Sequence, residues 1–477
     1  MSGEHNNVEM QLSFAADDPN RNATLSMVLP YDPNIIVYGK LGPFLLPREY
    51  TGWIDETMSW KKTCYIHTGL TLMMALFHIK LKGPDAERLL SENSIRDFST
   101  MKVGRARHTV FCNKFGHLMG HGMVLRLGEN EWDTFISGNI LHYIIDTKKY
   151  DIEPVIPEFP FVFQIGGPTS LQTVEHACLE DLHDLKFMHF LEATIAGHKV
   201  RVLRMGIAGT LSYEVHGNLN EGLNVYNAIL AAGQQFGIRR LGEMLFTYLC
   251  QHTENGYPQA FVHFYPAYRE GEDFYKWYRA NIRPEHPGVY DPWDPGNGIN
   301  EMRGTLGDNI IDYYRNPIEL GWGGSIDWNH EFVGKEALKK IAENNPRKPV
   351  TLVWNAEDVL DVYASYLREE GEPYLFMPWP RGDDEQGNFQ LKVVDKSGKA
   401  VGVTSGLTYT LYQRKTMSLG ILDADCVEFG NEVVILWGDR DKYPVKKIRA
   451  KVAKFPSLDL PRNESYDVES IPRFKKK

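Results

Sequence analysis

After the turn-rich stretch NNPRKPV (344–350) the chain changes character and becomes a succession of strand-like runs: VTLVW, FQLKVVD, AVGVTSG, MSLGILD, EVVILWG and KKIRAKV. These runs are short, rich in β-branched residues and bounded by turn residues. Branched side chains lose freedom in a helix and pack well on a pleated surface. This pattern constrains the fold more than any other: residues 346–477 are expected to form a mainly β, barrel-like domain, with a boundary near residue 345.

Residues 1–345 read as mixed α and β with short elements, so with the β-rich end of the chain the fold class is α+β. GPDAERLL (83–90) and GPTSLQTVEHACLEDL (167–182) are Gly-Pro turns feeding helices, with Thr169 or Ser170 as the N-cap of the second. EATIAGHKVRVLRM (192–205) is a hairpin turning at Ala196–His198. In 221–236, Leu223, Tyr226, Ile229 and Leu230 share a helical face, and Gly237 is the expected stop. The Pro- and Gly-dense stretch 283–307 is a lid or wall, or else a surface excursion.

Composition narrows the function. The net charge is −10, and the one basic run is the terminal RFKKK, which argues against a nucleic-acid groove. No apolar stretch is long enough for a membrane helix and the first residues lack a signal-peptide pattern, so the expectation is a cytoplasmic protein with no membrane partner. Five scattered cysteines without a CxxC, and sixteen histidines without an HExxH, predict reduced thiols and no metal site.

One stretch does not settle as ordinary fold chemistry. GIAGTLSYEVHG (206–217) follows a strand-like run and places Glu214 between the apolar Tyr213 and Val215. A carboxylate in a strand pattern either faces solvent or holds something.

Three segments carry a family resemblance. RMGIAGTLSYEVHG (204–217) resembles the R-x-G-Y-T-G-E-x-G-[FY]-E signature of glycine-cleavage aminomethyltransferases. RNPIELGWGGSIDWNHEFVGKEAL (315–338) resembles their P-x-E-x-G-L segment, and VGVTSGLTYTLYQRKTMSLGILD (401–423) their G-x-V-T-S-G segment. The resemblance implies a three-domain, folate-binding fold around a central opening, and it makes Glu214 the pterin anchor and Arg204 a further cofactor contact. The chemistry agrees, because a carboxylate can accept the pterin's ring N–H and exocyclic amine side by side.

Amine-transferring members carry an Asp pair where NKFGHLMGHGMVL (113–125) here has Gly120 and His121, so no lipoyl carrier protein is expected as partner. The chain is more similar to tetrahydrofolate-dependent aromatic O-demethylases of the vanillate, syringate and dicamba type. The shared segments are WIDETMSW (53–60), FQIGGP (163–168), VTLVWN (350–355) and a tyrosine, Tyr248, ahead of ENGYP (254–258). The resemblance gives Tyr248 the ether oxygen and places Gln164 and Tyr257 against the folate. A tyrosine suits a phenolate leaving group, because its reference pKa of about 10 nearly balances proton transfer with a phenol. The implied reaction moves the methyl of a methoxylated aromatic acid, syringate- or dicamba-like, to N5 of tetrahydrofolate.

On the aryl side the pattern departs. His67, Tyr38 and Trp60 are the substrate-side candidates. His67 reads either as a pocket residue or as a buried, satisfied histidine. His121, a catalytic candidate with Tyr248, reads either as a hydrogen-bond partner of a phenolic or carboxylate oxygen or as a loop histidine. No arginine for a substrate carboxylate is visible in FISGNI (135–140). Rival readings are demethylation of a sulfonium or betaine, for which aromatic residues would build a cage, and a folate-binding protein without turnover.

Overall fold

The computed structural model describes residues 28–35, 37–41, 44–68, 71, 78–135, 137–153, 155, 159–242, 251–271, 273–281, 303–377, 389–440 and 442–475. Tyr248, most of the TLMM segment (71–74) and most of 283–307 lie outside these residues.

The six strand-like runs each yield a strand: Lys348–Trp354, Leu391–Val394, Ala400–Thr410, Lys415–Leu422, Glu432–Trp437 and Lys446–Ala453. They close into a barrel in which every neighbouring pair is antiparallel, so no edge is left to pair with another chain. Leu352, Val393, Ile435, Trp437, Ile448 and Val452 belong to its buried core. The helix Ala356–Ala364 adds Val359 and Val362 to that core. Its N-cap, Asn355, accepts from the Asp358 N–H at 3.0 Å.

The preceding region is built on two main sheets, beside a two-stranded one of Val37–Leu41 and Phe44–Glu49. The larger has six strands in the order Ile238–Arg240, Cys64–His67, Pro160–Gly166, Ser212–Asn218, His198–Leu203 and Phe190–Ile195. Alternation along Ser212–Asn218 sends Tyr213 and Val215 into a core shared with Phe163, Ile165 and the helices Ser170–Cys178 and Gly222–Gly233. The same alternation turns Glu214 and His216 to the opposite face. There His216 meets Phe135 of the second sheet, ring centroids 5.1 Å apart. That four-stranded sheet runs Ile79–Lys82, Glu131–Phe135, Leu118–Arg126, Ala106–Cys112.

The hairpin at 196–198 and the stop at Gly237, whose φ of 74° suits a residue without Cβ, are both present. Two local readings need correction. Thr169 stands at the N-cap position but does not cap; its hydroxyl donates to the Phe236 carbonyl at 3.1 Å, a contact between distant segments invisible to local sequence. Leu223 is 39 % exposed, because Val225, Tyr226 and Ile229 make the buried face.

The tail returns from the barrel to strap the first region. Arg204 donates through Nε to Asn463 Oδ1 (3.3 Å), and through Nη2 to the carbonyls of Asn463 (2.9 Å) and Tyr466 (3.3 Å). Its Nη1 reaches the Leu185 carbonyl at 3.4 Å. Further along, His183 Nε2 donates to the Ile471 carbonyl at 3.0 Å, while Nδ1 lies 2.9 Å from both Glu175 and Asp181 carboxylates. These are the three residues whose ligand atoms, all within 4.8 Å of one another, could hold an ion among the described residues. A protonated imidazole satisfies all three contacts without one. Burial works against that charge, but the Ile471 carbonyl and both carboxylates outweigh it and raise the His183 pKa.

Replacing Arg204 by methionine leaves those carbonyls without donors, so a loss of about 3 kcal/mol is expected. Limited proteolysis should then cut within 455–475 well before wild type is touched. Unchanged protection would refute the strap.

Candidate active site

Cross-strand register assembles the site on the inner face of the six-stranded sheet. His67, Gln164 and Glu214 are direct neighbours across three strands, so their side chains leave the sheet side by side. Glu214 is 3 % exposed and accepts from His216 Nε2 at 3.0 Å. Beside them Tyr65 donates to Gln164 Oε1 at 2.6 Å, with the Gln251 amide 3.3 Å from the same hydroxyl. Burial, and after it the Glu214 charge, raise the Tyr257 pKa, which places that hydroxyl within electrostatic reach of the carboxylate.

Several buried polar atoms here lack a protein partner: Nε2 of Gln164, Nε2 of Gln251 and Nδ1 of His216. An unmade buried hydrogen bond costs about 1–3 kcal/mol. Their concentration around one carboxylate marks a surface made for a polar ligand. Glycines keep it open. A Cβ on Gly206 would meet the Ser212 side chain and approach Gln164 Nε2 to 3.3 Å.

His121 projects from Leu118–Arg126 into a cluster of rings. Trp322 lies 4.9 Å from it, His108 5.3 Å, Tyr257 5.7 Å and Phe264 6.0 Å, centroid to centroid. Its Nδ1 is 3.2 Å from His108 Nε2 and 3.5 Å from the Tyr257 hydroxyl. Burial holds His121 well below the usual histidine range, with His108 and His252 adding to the effect, and burial takes His108 itself down to about 3. The ring is therefore neutral. In the tautomer where His108 and Tyr257 donate to Nδ1, the one proton sits on Nε2, which is buried without a protein partner. In that tautomer His121 offers an N–H donor rather than an acid.

The barrel supplies one wall. Gly406, φ +64°, comes from its VTSG segment, and a side chain there would strike His263. Thr253 donates to the Gly406 carbonyl at 2.8 Å and contacts His263 Nε2 at 3.2 Å, which pins the segment carrying Tyr257.

Residues 37–259 match the family described as GCVT N-terminal domain. A sesamin methylene transferase from a Sinomonas species is 37 % identical over 440 residues, covering 90 % of this chain and 94 % of the relative. The chain belongs to the glycine-cleavage T-protein family. A syringate O-demethylase from a Sphingobium species is 28 % identical over 411 residues, covering 83 % of this chain and 84 % of that one. The crystal structure of the glycine cleavage system aminomethyltransferase T from Bartonella henselae shares the fold, with a TM-score of 0.60 at 15 % identity over 91 % of this chain and 95 % of that one. The T-protein family member described here is a methyltransferase-class enzyme. Among its described residues no helix is long and apolar enough to cross a membrane.

Of the residues singled out from sequence, the structure brings Glu214, Gln164, His67, Tyr257 and His121 together. Trp60 packs edge-on against Tyr65 at 6.0 Å and so backs the site rather than facing it directly. Burial lowers the His67 pKa to about 4, which leaves the ring neutral beside Gln164. Arg204 is not brought here. It follows Leu203, the strand partner of Glu214, points off the row and spends its guanidinium on the tail. Tyr38 stands apart, its hydroxyl exchanging hydrogen bonds with the Asp32 backbone at 3.0 and 3.1 Å.

Sequence reasoning missed Tyr65, His108, Gln251 and Trp322. It also missed Arg96, whose charge lowers His108 further and whose Nη2 donates to Ser325 at 2.9 Å while Nε is buried without an acceptor. His108 had one available signal: it lies on the strand paired with that of His121, offset by two residues, with Met123 opposite His108 and Val110 opposite His121.

Proposed function

We propose that the enzyme transfers the methyl group of an aryl ether to N5 of tetrahydrofolate, releasing a phenol and 5-methyltetrahydrofolate. One observation carries the reading: the buried Glu214 carboxylate lies directly beside Gln164, whose Nε2 lacks an acceptor. A reduced pterin presents N–H donors next to a carbonyl acceptor, the complement of that pair. In this reading residues 1–345 form the folate-binding region and 346–477 a barrel-like domain that walls it.

Tyr257 lies against the folate. His121 Nε2–H supports the aryl oxygen as negative charge grows there. Tyr248 delivers the proton, since a histidine held neutral cannot. Much of the rate then comes from holding donor and acceptor in line. A methoxylated aromatic acid is the favoured donor, with Arg96 as the carboxylate partner that FISGNI (135–140) does not supply. No lipoyl carrier protein takes part in this reading.

A second donor is favoured by the sesamin methylene transferase at 37 % identity, against 28 % for the syringate O-demethylase. A methylene held between two aryl oxygens would pass to tetrahydrofolate, leaving a catechol and 5,10-methylenetetrahydrofolate, with no redox change.

An anaerobic product assay tests both. Purified enzyme and tetrahydrofolate are incubated with methoxylated aromatic acids and, separately, with neutral methylenedioxy aromatics. Equal amounts of phenol and 5-methyltetrahydrofolate support methyl transfer; catechol with the methylene product supports the second donor. If the acid is the donor, Arg96→Met should raise its KM about tenfold with little change in kcat. No one-carbon product from either panel would sink the aryl reading.

A further inference from the structure

A second feature lies away from the Glu214 site. A cleft of about 620 Å³ opens between the segment 306–319, the helix Lys335–Glu343 and the barrel, and Arg315 lines it. Arg315 is 4 % exposed, and its Nη1 donates to the carbonyls of Asp312 (2.7 Å) and Tyr314 (2.6 Å). Nε and Nη2 find no acceptor. Those two N–H groups form the edge with which a guanidinium grips an oxyanion through two parallel bonds.

The surroundings are cationic. Lys340, Arg347 and Lys392 also line the cleft, and neither lysine makes an ion pair among the described residues. Arg347 Nε is turned to Asp423 at 2.8 Å. Of the two lining carboxylates, Asp312 and Glu319, the latter accepts from the Asn316 side chain at 2.8 Å and its backbone N–H at 3.2 Å. Four cations against the two lining carboxylates and the Asp423 that pairs with Arg347 leave a local excess of one positive charge in a chain of net charge −10. Such an excess favours an anionic occupant.

We propose that this cleft binds the phosphate group of a small phosphorylated molecule, with Arg315 as the bidentate anchor and Lys340 and Lys392 as flanking charges. The cleft is far larger than a bare phosphate, and Tyr314, Ile341 and Val403 give it an apolar wall for the rest of such a molecule. The site is separate from the folate reading and does not depend on it.

The test is calorimetric titration of the full chain at constant ionic strength with inorganic phosphate, glycerol phosphate and benzoate. Saturable phosphate binding is expected, with the phosphate ester at least as tight and benzoate more than tenfold weaker. Arg315→Lys keeps the charge but loses the fork, and should weaken phosphate about tenfold. Because Arg315 also holds two carbonyls, the double variant Lys340→Ala/Lys392→Ala provides a decision independent of folding; it should weaken phosphate severalfold with an unchanged ligand-free Tm. No saturable heat, equal affinity in the double variant, or benzoate binding as tightly as phosphate would each overturn the site. Binding of inorganic phosphate with exclusion of the ester would overturn the phosphorylated molecule as its occupant.

Discussion

Glu214→Ala is expected to weaken tetrahydrofolate binding at least ~100-fold and to remove turnover with it. Hydrogen bonds to a charged group are worth about 1.5–3 kcal/mol each, and under the proposed function the pterin makes two of them to this carboxylate. Losing both costs on the order of 3–5 kcal/mol, a factor of roughly 10²–10³ in Kd. The loss should not be one of folding, because Glu214 has a single protein partner in the site, His216 at 3.0 Å, and truncation takes a buried charge away. The ligand-free Tm should therefore stay near wild type. Glu214→Gln makes the argument sharper. It keeps the shape and one acceptor but turns an amide N–H₂ toward the pterin donors, so most of the affinity should go as well. Calorimetry with tetrahydrofolate checks both variants, and a Kd within threefold of wild type in a folded Glu214→Ala would take Glu214 out of the site.

That Glu214 could be picked out at all follows from where its information lies. The strand runs, the 196–198 hairpin and the Gly237 stop depend on neighbours in sequence, and they appear in the structure at those positions. Glu214 stood out for the same local reason, as a charge in an apolar alternation. Tyr65, Gln251 and Arg96 carry no such mark, because their roles come from register and packing between distant segments. Tyr65 meets Gln164 ninety-nine residues away and Gln251 one hundred and eighty-six away. Arg204 shows the opposite failure. It shares a motif with Glu214, but a change of face at the strand end hands it to residues 463–466, a partner no local pattern announces. Motif membership located the neighbourhood, and the pleat decided which side chain joined Gln164 and His67 on one face.

The same packing that builds the ring cluster should make the enzyme acid-sensitive. Burial lowers His67 and His252 to about 4 and His108 and His263 to about 3, against about 6.5 in an unfolded chain. The folded state thus binds fewer protons than the unfolded one as pH falls below 6.5. Their contribution to stability is whole above that pH and drains away as pH drops toward the folded values of 3 to 4. Each such histidine costs about 1.4 kcal/mol at pH 5.5, so four together remove on the order of 5 kcal/mol, a large part of a typical folding free energy. His183 acts in the other direction: its raised pKa adds stability at low pH that fades as pH rises through it, which offsets only part of the loss. The apparent urea midpoint should therefore fall steeply between pH 7.5 and pH 5.5. His263→Gln should flatten that slope, because glutamine can still accept from the Gln259 N–H, now 2.9 Å from His263 Nδ1, but has no proton to take up. Equal midpoints at the two pH values would mean that the cluster opens to water and that the neutral, donating His121 assigned to the aryl oxygen does not exist.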